Sequence, residues 1–239
     1  MIRTGKPTPI RKDFKKERKM RQEENYIKVY NSLKTNNKKI FYKNINKLAF
    51  ERVLERLQLT DEEFFKEVME NEYFCRMSSM HLSKNASRQC SKDEVEQLRI
   101  CNLTSKNYDI FIQRPDSEIR LTKDGQILSK NTIKEKKIEK DCCLKSFDGC
   151  ILGKSKGFIS CKTSFGSGGH QDNVFEEQHK FAEVWAEYRK NDNDILVLLI
   201  DTDLNLQFTR LKEKYNHVKN IMVFDHVEFQ QYLIDTYHV

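Results

Sequence analysis

The stretch "GFISCKTSFGSGGHQDNVFEEQHKFAEVW", residues 157–185, decides the fold. An apolar run ends at Lys162, a glycine-rich turn follows, and apolar residues then recur at helical spacing up to Trp185. This order predicts a strand, a turn and a helix. Two residues before the lysine stands Ser160, where a carboxylate would make immediate chemical sense.

The residues before this strand complete a β-hairpin, "FDGCILGKSKGFISCKT", residues 147–163. A turn centred on the serine of "GKSKG" places Asp148 opposite Lys162 and Cys150 opposite Ser160. An acid and a lysine are therefore predicted to meet at the end of the hairpin. A cross-strand salt bridge at a sheet edge, which contributes little to stability, is the simpler interpretation of the same pair.

The segments on either side of the hairpin are typical of an α/β protein. "SKDEVEQLRICN" predicts a helix with Ser91 as N-cap and Glu94 three residues on. From this helix the predicted order is helix, strand, strand, strand, helix, strand, which indicates a mixed β-sheet flanked by helices. The other predicted elements are "YDIFIQ", "CLKSFDGCIL", "DILVLLIDT", "NVFEEQHKFAEVWAEYRK", "KNIMVFD" and "HVEFQQYLIDTY".

Three parts of the chain are predicted: a basic arm (1–45), a helical extension (46–86) and a core domain (87–239). In the extension, "NKLAFERVLERLQL" and "TDEEFFKEVMENEYF" predict two short helices, the second opening at Thr60 with a capping box to Glu63. Within the core, residues 114–145 are polar and lysine-rich with one turn at "KDG". A connection of that length is predicted to be functional or mobile.

The positive charge is concentrated at the N-terminus. Residues 1–45 hold 14 Lys and Arg against 4 Asp and Glu, in a chain whose net charge is +7. Such an arm suits contact with nucleic-acid phosphates, since each neutralised phosphate releases counterions. A solubilising tail is the alternative that the charge leaves open.

Composition predicts a cytoplasmic protein without membrane contact. No apolar run approaches the roughly 18 residues of a membrane span, and the basic N-terminus lacks the apolar segment of a signal peptide. An odd number of cysteines without CxxC spacing favours reduced thiols over disulfides. They are Cys75, Cys90, Cys101, Cys142, Cys143, Cys150 and Cys161. A zinc site is the alternative, although the ligand spacing of structural zinc sites is missing.

Carboxylates and a lysine at one end of a sheet suit metal-dependent hydrolysis of a phosphodiester. The turn "SFGSGG" leads into a helix that begins with Glu176 and Glu177. Asp148 and a helix glutamate can hold Mg²⁺, which prefers hard oxygen ligands. Lys162 can position an attacking water, and the metal can stabilise the pentavalent phosphate.

This arrangement resembles the PD-(D/E)xK nucleases and, within them, type II restriction endonucleases. Their core is helix, three strands, helix, strand, with Asp on the second strand and (D/E)xK on the third. Asp148 matches the first acid and Lys162 the lysine, whereas Ser160 stands in place of the second acid. A restriction-enzyme subgroup has SxK on the strand and a glutamate 14 positions after the lysine, which is Glu176 here. The resemblance covers residues 87–201.

Which helix acid replaces the missing carboxylate is left open. The subgroup's spacing favours Glu176, but this residue points away from the apolar face of its helix and can form a capping box with Asn173. Glu177 lies nearer the side that faces the core, so it can reach the end of the sheet more easily. Both glutamates are kept as candidate metal ligands.

Further site residues come from the resemblance. "SRQCSKDE", residues 87–94, is similar to the segment that opens the first core helix of some restriction enzymes, in which a helix glutamate, here Glu94, approaches the metal. The capping box described above explains Glu94 equally well. The candidate DNA-contacting residues are His170, Gln171, Asn173, Arg88 and Lys92. For His170 and Gln171, an exposed loop position without DNA contact is the alternative.

A second, literal match to the motif occurs at Pro115–Asp116 with Glu135 and Lys137. The segment "NTIKEKKIEK" around its lysine is too polar for a buried strand, so that lysine would be solvated. This match is interpreted as coincidental.

The resemblance implies a Mg²⁺-dependent, sequence-specific endonuclease that cuts double-stranded DNA with an activated water. Asp148 and a helix glutamate would hold the metal, Lys162 would assist the water, and Ser160 would line the site. A homodimer is implied, with a companion DNA methyltransferase in the same system. The alternatives are another nuclease of this fold, for repair or junction resolution, and a non-catalytic DNA-binding protein with a decayed site.

Overall fold

The structure is a computed structural model that describes residues 25–83, 90–164, 169–202 and 204–237. For residues 90–93, 96 and 169–172 it describes the backbone alone. The chain divides into two compact units. The first comprises Met1–Leu54 and Leu59–Gln89, and the second comprises Glu55–Gln58 and Cys90–Val239.

The first unit, where it is described, is helical. Its core is a cluster of aromatic rings in which Phe41 lies 5.2 Å from both Phe50 and Phe65, measured between ring centroids. Edge-to-face packing of this kind stabilises a core beyond simple burial of area. The helices are α1 (25–34), α2 (Lys38–Asn44), α3 (Lys47–Leu57), α4 (Asp61–Glu70) and α5 (Glu72–Leu82).

The predicted capping box at Thr60 is confirmed. The Thr60 side chain accepts a hydrogen bond from the backbone of Glu63, whose carboxylate accepts one from the Thr60 backbone in return. The single helix predicted after it is wrong, because the chain leaves helical geometry at Asn71, between α4 and α5. The Asn71 side chain accepts from the backbone N–H of Phe74 and so starts the new helix.

The basic arm was predicted to extend to residue 45, whereas residues 25–34 and Lys38–Asn44 are helical. Val29, Leu33 and Phe41 are fully buried in the first unit. Val29 and Leu33 are four residues apart, which is helical spacing, but the many lysines around them led to the prediction of an arm instead of helices. The first 24 residues of the predicted arm lie outside the described part of the chain.

The second unit contains a five-stranded and a three-stranded sheet with helices around them. Two short 3₁₀ helices, Lys106–Tyr108 and Lys140–Cys142, belong to its connections. Its other elements are α6 (Cys90–Ser105), β1 (Ile110–Gln113), β2 (Ile119–Thr122), β3 (Ile127–Ser129), α7 (Lys130–Glu135), β4 (Cys143–Ser146), β5 (Gly149–Gly153), β6 (Gly157–Ser164), α8 (Gly169–Tyr188), β7 (Ile195–Thr202), α9 (Asn205–Tyr215), β8 (Ile221–Phe224) and α10 (His226–Tyr237).

The larger sheet has the strand order β1-β5-β6-β7-β8. Strands β1, β5 and β6 are antiparallel neighbours, and β6, β7 and β8 are parallel. Helices α8 and α9 connect the parallel strands, as such pairs require a crossover. The predicted α/β class with a mixed sheet flanked by helices is confirmed at this level.

Both faces of the larger sheet are covered. Trp185 and Phe181 of α8 belong to the core cluster on one face, and Leu98 of α6 and Phe229 of α10 to the cluster on the other. Strand β7 is buried on both sides, which explains its near-continuous apolar run. Helix α9 was missed by the sequence prediction because its segment "NLQFTRLKEKY" carries few apolar residues.

The predicted register of the β5–β6 hairpin is wrong by two residues. Gly149 pairs with Ile159 and Cys150 with Phe158, so the turn is centred one residue earlier than predicted. Gly153 closes β5 with a φ of +105°, and a Cβ there would meet the carbonyl oxygen of Asp109 at 2.2 Å. Because the error is an even number of residues, every side chain keeps its predicted face.

The segment 114–145, predicted to be a polar connection, carries secondary structure of its own. Strands β2 and β3 form a hairpin around "KDG", where Gly125 has a φ of +82°. Strand β4 pairs with β2, which completes the sheet β3-β2-β4. The predicted strand "CLKSFDGCIL" is therefore two strands in different sheets. They are divided at Phe147, which is buried in the same core cluster as Leu121.

Across the described residues, none of the helices combines the length and the apolar character that crossing a lipid bilayer would require.

Candidate active site

The β5–β6 hairpin positions an acid beside a lysine at one end of the larger sheet. Asp148 lies directly before β5, and its backbone N–H donates to the carbonyl of Ile159 at 2.9 Å. Its carboxylate Oδ2 accepts a hydrogen bond from the backbone N–H of Cys161, also at 2.9 Å. These two contacts to β6 fix the Asp148 side chain next to Lys162.

Lys162 lies at the centre of a group of largely buried charges, which we call the Lys162 cluster. Its Nζ lies 3.3 Å from Glu177 Oε1, 3.4 Å from Glu94 Oε1 and 3.8 Å from Asp148 Oδ2. The four side chains are between 14% and 16% exposed. Helix α6, helix α8 and the start of β5 each deliver one carboxylate, so the cluster exists only in the folded second unit.

The lysine of the cluster is an ammonium ion at physiological pH. Burial alone lowers the pKa of Lys162, but the negative charges of Asp148, Glu94 and Glu177 outweigh burial. The net pKa is therefore raised above its ordinary value. An amine that keeps its proton acts as a hydrogen-bond donor and a positive charge, not as a base.

Two acids of the cluster have raised pKa values. Burial and the negative charge of Asp148 raise the pKa of Glu94 from its ordinary 4.5 to about 7. Burial also raises the pKa of Asp148, against the opposing effects of Lys162 and the Cys161 N–H. At neutral pH Glu94 is thus divided between its charged and neutral forms. Partly buried acids with near-neutral pKa values are typical of functional sites.

Two cations at the rim were missed by sequence reasoning. Arg114 Nη2 lies 3.8 Å from Glu94 Oε2, and the ammonium of Lys145 forms an ion pair with Glu177 Oε2. Arg114 follows β1, and Lys145 lies on β4 of the smaller sheet. No local motif indicates either residue, because their position depends on how the two sheets pack.

A second, fully buried polar group lies beside the first and includes Gln97, Asp201 and His226; we call it the Asp201 cluster. Gln97 Nε2 donates to the backbone carbonyl of Lys162 at 2.9 Å and to Asp201 Oδ2 at 2.8 Å. Asp201 Oδ1 accepts from the backbone N–H of His226 at 3.0 Å and lies 2.8 Å from His226 Nδ1. Since Glu94 lies three residues before Gln97 on α6, this contact also fixes Glu94 relative to Lys162.

The structure gives Ser160 a packing partner. Its side chain is fully buried in β6, and its Oγ accepts a hydrogen bond from Gln178 Nε2 at 3.0 Å. Gln178 directly follows Glu177 on α8. The serine therefore attaches the helix that carries the acid to the strand that carries the lysine, where a second strand carboxylate would be buried.

Of the two helix acids, the structure brings Glu177 to the lysine and leaves Glu176 exposed on α8. The capping box predicted for Asn173 and Glu176 is wrong, because α8 begins at Gly169 and Asn173 lies inside the helix. The same holds for Ser91, which lies inside α6 because that helix begins at Cys90.

The candidate DNA-contacting residues are scattered over described and undescribed parts of the chain. Asn173 is exposed on α8. Lys92, His170 and Gln171 belong to helices α6 and α8, but their side chains lie outside the described part, as does Arg88. Asp116, Glu135 and Lys137 of the coincidental motif match are all exposed.

The Lys162 cluster is rich in carboxylate oxygen atoms. Its three carboxylates supply the oxygen ligands that Mg²⁺ prefers, and Glu177 Oε1 is buried without a hydrogen bond among the described residues. As they stand in this structure, the described residues contain no group of three or more His, Cys, Asp or Glu that could hold a metal ion. The carboxylates face the ammonium of Lys162 instead. The six cysteines with described side chains are free thiols.

The chain matches no family model, no curated protein and no solved structure among those compared with it. What the site can do chemically follows from its own geometry, in which a permanent cation is held by three acids and one acid titrates near neutrality.

Proposed function

We propose that this protein is a Mg²⁺-dependent endonuclease of the type II restriction kind, which hydrolyses double-stranded DNA at a specific sequence. The observation that carries the proposal is the Lys162 cluster, in which Asp148, Glu94 and Glu177 converge on one lysine at the end of a sheet. The three carboxylates supply hard oxygen atoms of the kind that Mg²⁺ prefers as ligands.

The element order supports the same family. Elements α6, β1, β5, β6, α8 and β7 follow the order helix, three strands, helix, strand of the PD-(D/E)xK core. Asp148 precedes the second of these strands, and Lys162 lies on the third. The smaller sheet is inserted between the first two strands.

Each residue of the cluster has a role in this proposal. Asp148 and Glu177 would hold the cation, which when bound would supply a Lewis acid for the charge on the phosphate. Lys162 orients the attacking water and donates to the phosphate oxygens, because its raised pKa keeps it protonated. Glu94 Oε1 accepts the proton of the water, since a pKa of about 7 suits a base at neutral pH.

The restriction function adds partners that belong to the proposal. Cutting both strands usually takes two active sites, which a homodimer supplies, and a two-fold dimer matches a palindromic target. A companion DNA methyltransferase would protect the host sequence. In the restriction-enzyme subgroup that the chain resembles, the strand position that Ser160 occupies here has no acid. An acid on the following helix replaces it.

Digestion of a supercoiled plasmid of known sequence with Mg²⁺ tests the proposal. We expect fragments with fixed ends, and no cleavage when EDTA removes the metal. Glu177→Gln should lower the cleavage rate on the order of 100-fold because one metal ligand is lost, as for other single charge-stabilising groups. Glu176→Gln is the matched control on the adjacent, exposed position, and it should cut like the wild type.

Cutting at random positions would favour a repair or junction-resolving nuclease over a restriction enzyme. One observation favours a second candidate, a non-catalytic DNA-binding protein: the three carboxylates face Lys162 and leave no metal position already formed among the described residues. If the protein bound DNA but left the plasmid intact with every divalent cation tried, that second candidate would replace the first.

A further inference from the structure

A cleft of about 720 Å³ opens in the second unit between the smaller sheet and helix α8. Strand β2 and the chain around β4 line one side, and the first half of α8 lines the other. Its lining includes Arg120, Lys123, Lys140, Lys145 and Lys180. Five cations therefore face one cleft, against three acids, Asp141, Glu176 and Glu177.

Three of these cations are available to a ligand. Lys123, Lys140 and Lys180 are exposed, and the ion pairs found among the described residues do not include them. Arg120 is paired with Glu118, and Lys145 with Glu177. Asp141 and Glu176 are exposed acids of the same lining, so the three available lysines leave the cleft with a small net positive charge.

The cleft and the Lys162 cluster share one residue, Glu177. Its Oε2 pairs with Lys145, which also lines the cleft, while Oε1 of the same carboxylate lies 3.3 Å from Lys162 Nζ. An anionic chain lying against Glu177 in the cleft would thus be separated from the candidate catalytic lysine by one side chain.

The walls suit phosphates and not bases. Among the lining residues the aromatic side chain is Phe181, which is fully buried and offers no surface on which a base could stack. The volume is within the range of small-ligand pockets, so the cleft holds a few groups of one strand and not the width of a duplex. Lysines are point charges that attract phosphates without reading sequence.

We propose that this cleft binds the phosphates of one nucleic-acid strand on one side of the bond that is cut. The proposal rests on the proposed function for the identity of the bond, but binding in the cleft needs neither metal nor cleavage. The cleft thereby adds affinity that is independent of sequence and delivers a strand to Lys162.

Fluorescence anisotropy with a fluorescein-labelled DNA oligonucleotide of mixed sequence, single-stranded and as a duplex, tests this site in EDTA. The triple variant Lys123→Ala/Lys140→Ala/Lys180→Ala should bind both probes roughly 100-fold more weakly at about 0.1 M salt, because three counterion-releasing contacts are lost. The slope of log affinity against log salt should become shallower by about 2 for the single strand and by nearly 3 for the duplex. The triple Lys→Arg variant should bind like the wild type.

A control variant separates the cleft from general charge. Lys156→Ala/Lys190→Ala/Lys219→Ala removes three exposed lysines of the same unit that do not line the cleft. Equal losses in the two alanine variants, or wild-type affinity in the cleft variant, would overturn the proposal. Thermal unfolding shows whether each variant is folded. If an alanine variant is not folded, the Lys→Arg variant still tests whether positive charge at these positions is sufficient for binding.

Cleavage separates the two proposals. If the wild type cuts the plasmid with Mg²⁺ but the cleft variant binds like wild type, the nuclease proposal stands and the cleft proposal fails. If the wild type never cuts while the cleft variant alone loses binding, the cleft is a strand-binding site in a protein that is not a nuclease.

Discussion

The Lys162 cluster and the Asp201 cluster lie at the same end of two neighbouring parallel strands, β6 and β7, yet they differ in how completely their charges are compensated. In the Asp201 cluster, Asp201 and His226 are fully buried, and the contacts to the Asp201 carboxylate are 2.8–3.0 Å long. In the Lys162 cluster the distances are 3.3–3.8 Å, and every side chain keeps some exposure.

The difference follows from the number of partners. Three carboxylates share Lys162 and lie 3.3–3.8 Å from its ammonium, with Arg114 and Lys145 at the rim as second partners of Glu94 and Glu177. Burial raises the pKa values of Glu94 and Asp148, and the negative charge of Asp148 adds to the effect at Glu94. Asp201 instead meets hydrogen-bonding groups placed by two helices, Gln97 of α6 and His226 of α10. Charged side chains with shifted pKa values are typical of functional sites, whereas a buried cluster with short hydrogen bonds stabilises the fold. Gln97 joins the two, because one side chain contacts both strands.

The largest expected effect removes the charges that the proposed chemistry needs. Lys162→Met and Asp148→Asn should each lower the rate of plasmid cleavage on the order of 1000-fold, since a group aimed at the developing charge is lost. Both variants should remain folded by circular dichroism. Cleavage rates with saturating Mg²⁺ measure the effect.

Lys137→Met and Asp116→Asn are the matched controls, because they make the same changes at exposed positions of the coincidental motif match. They should cut like the wild type. Normal cleavage by Lys162→Met, or loss of cleavage in the controls, would move the active site away from the Lys162 cluster.

The next largest effect is expected from a substitution in the Asp201 cluster. Asp201→Ala leaves Gln97 and His226 buried without their carboxylate acceptor, and we expect a loss of about 3–5 kcal/mol in the free energy of unfolding. Urea denaturation measures it. Asp235→Ala on the exposed face of α10 is the control, with a change of at most about 0.5 kcal/mol. An Asp201→Ala protein that is as stable as wild type but inactive would place Asp201 in the chemistry.

The two clusters also differ in how far the sequence predicts them. The hairpin motif indicated Asp148 and Lys162. The predicted register was wrong by two residues, but side chains alternate between faces with a period of two, so both residues kept their predicted face. The Asp201 cluster went unnoticed, since Gln97 and Asp201 are 104 residues apart and each looks like an ordinary core-edge polar residue.

The choice between Glu176 and Glu177 depended on helical phase, which the packing of α8 against β6 decides. Sequence spacing favoured the exposed Glu176, whereas the geometric argument favoured Glu177, the residue that the structure places beside Lys162. The smaller sheet was missed for a related reason. Its strands have three or four residues each and are partly exposed, so they carry little apolar periodicity.

A smaller effect is expected in the pH dependence of stability, because the pKa of Glu94 is raised on folding. The pKa of Glu94 is about 7 in the folded protein and 4.5 ordinarily. Between these values the folded state binds a proton that the unfolded state has lost, so this group lowers stability as pH rises through that window. Glu94→Gln removes the titration. The free energy of unfolding of the variant minus that of the wild type should therefore increase by up to about 3 kcal/mol from pH 4.5 to above 7.

Urea denaturation in EDTA over this pH range measures the difference. Asp148 and Lys162 face Glu94, and because the negative charges of Asp148 and Glu94 raise each other's pKa, the variant also lowers the pKa of Asp148. Asp148→Asn/Glu94→Gln compared with Asp148→Asn isolates the titration of Glu94. Glu183→Gln, an exposed acid on α8, is the control and should run parallel to the wild type. A parallel profile for Glu94→Gln as well would mean that Glu94 carries no raised pKa.

The smallest effect separates the packing part of the Lys162 cluster from its charges. Ser160→Ala removes the acceptor of Gln178 Nε2 and should cost about 1–2 kcal/mol of unfolding free energy. All three carboxylates remain, so cleavage should fall by less than about 10-fold. The double variant Ser160→Ala/Gln178→Leu should be no less stable than Ser160→Ala, because no buried donor is then left without a partner.

Ser160→Glu would bury a fourth acid at a fully buried position and should unfold the protein at neutral pH. Faster cleavage by Ser160→Glu would show instead that the strand position accepts a metal ligand, and that Ser160 is not there to hold α8.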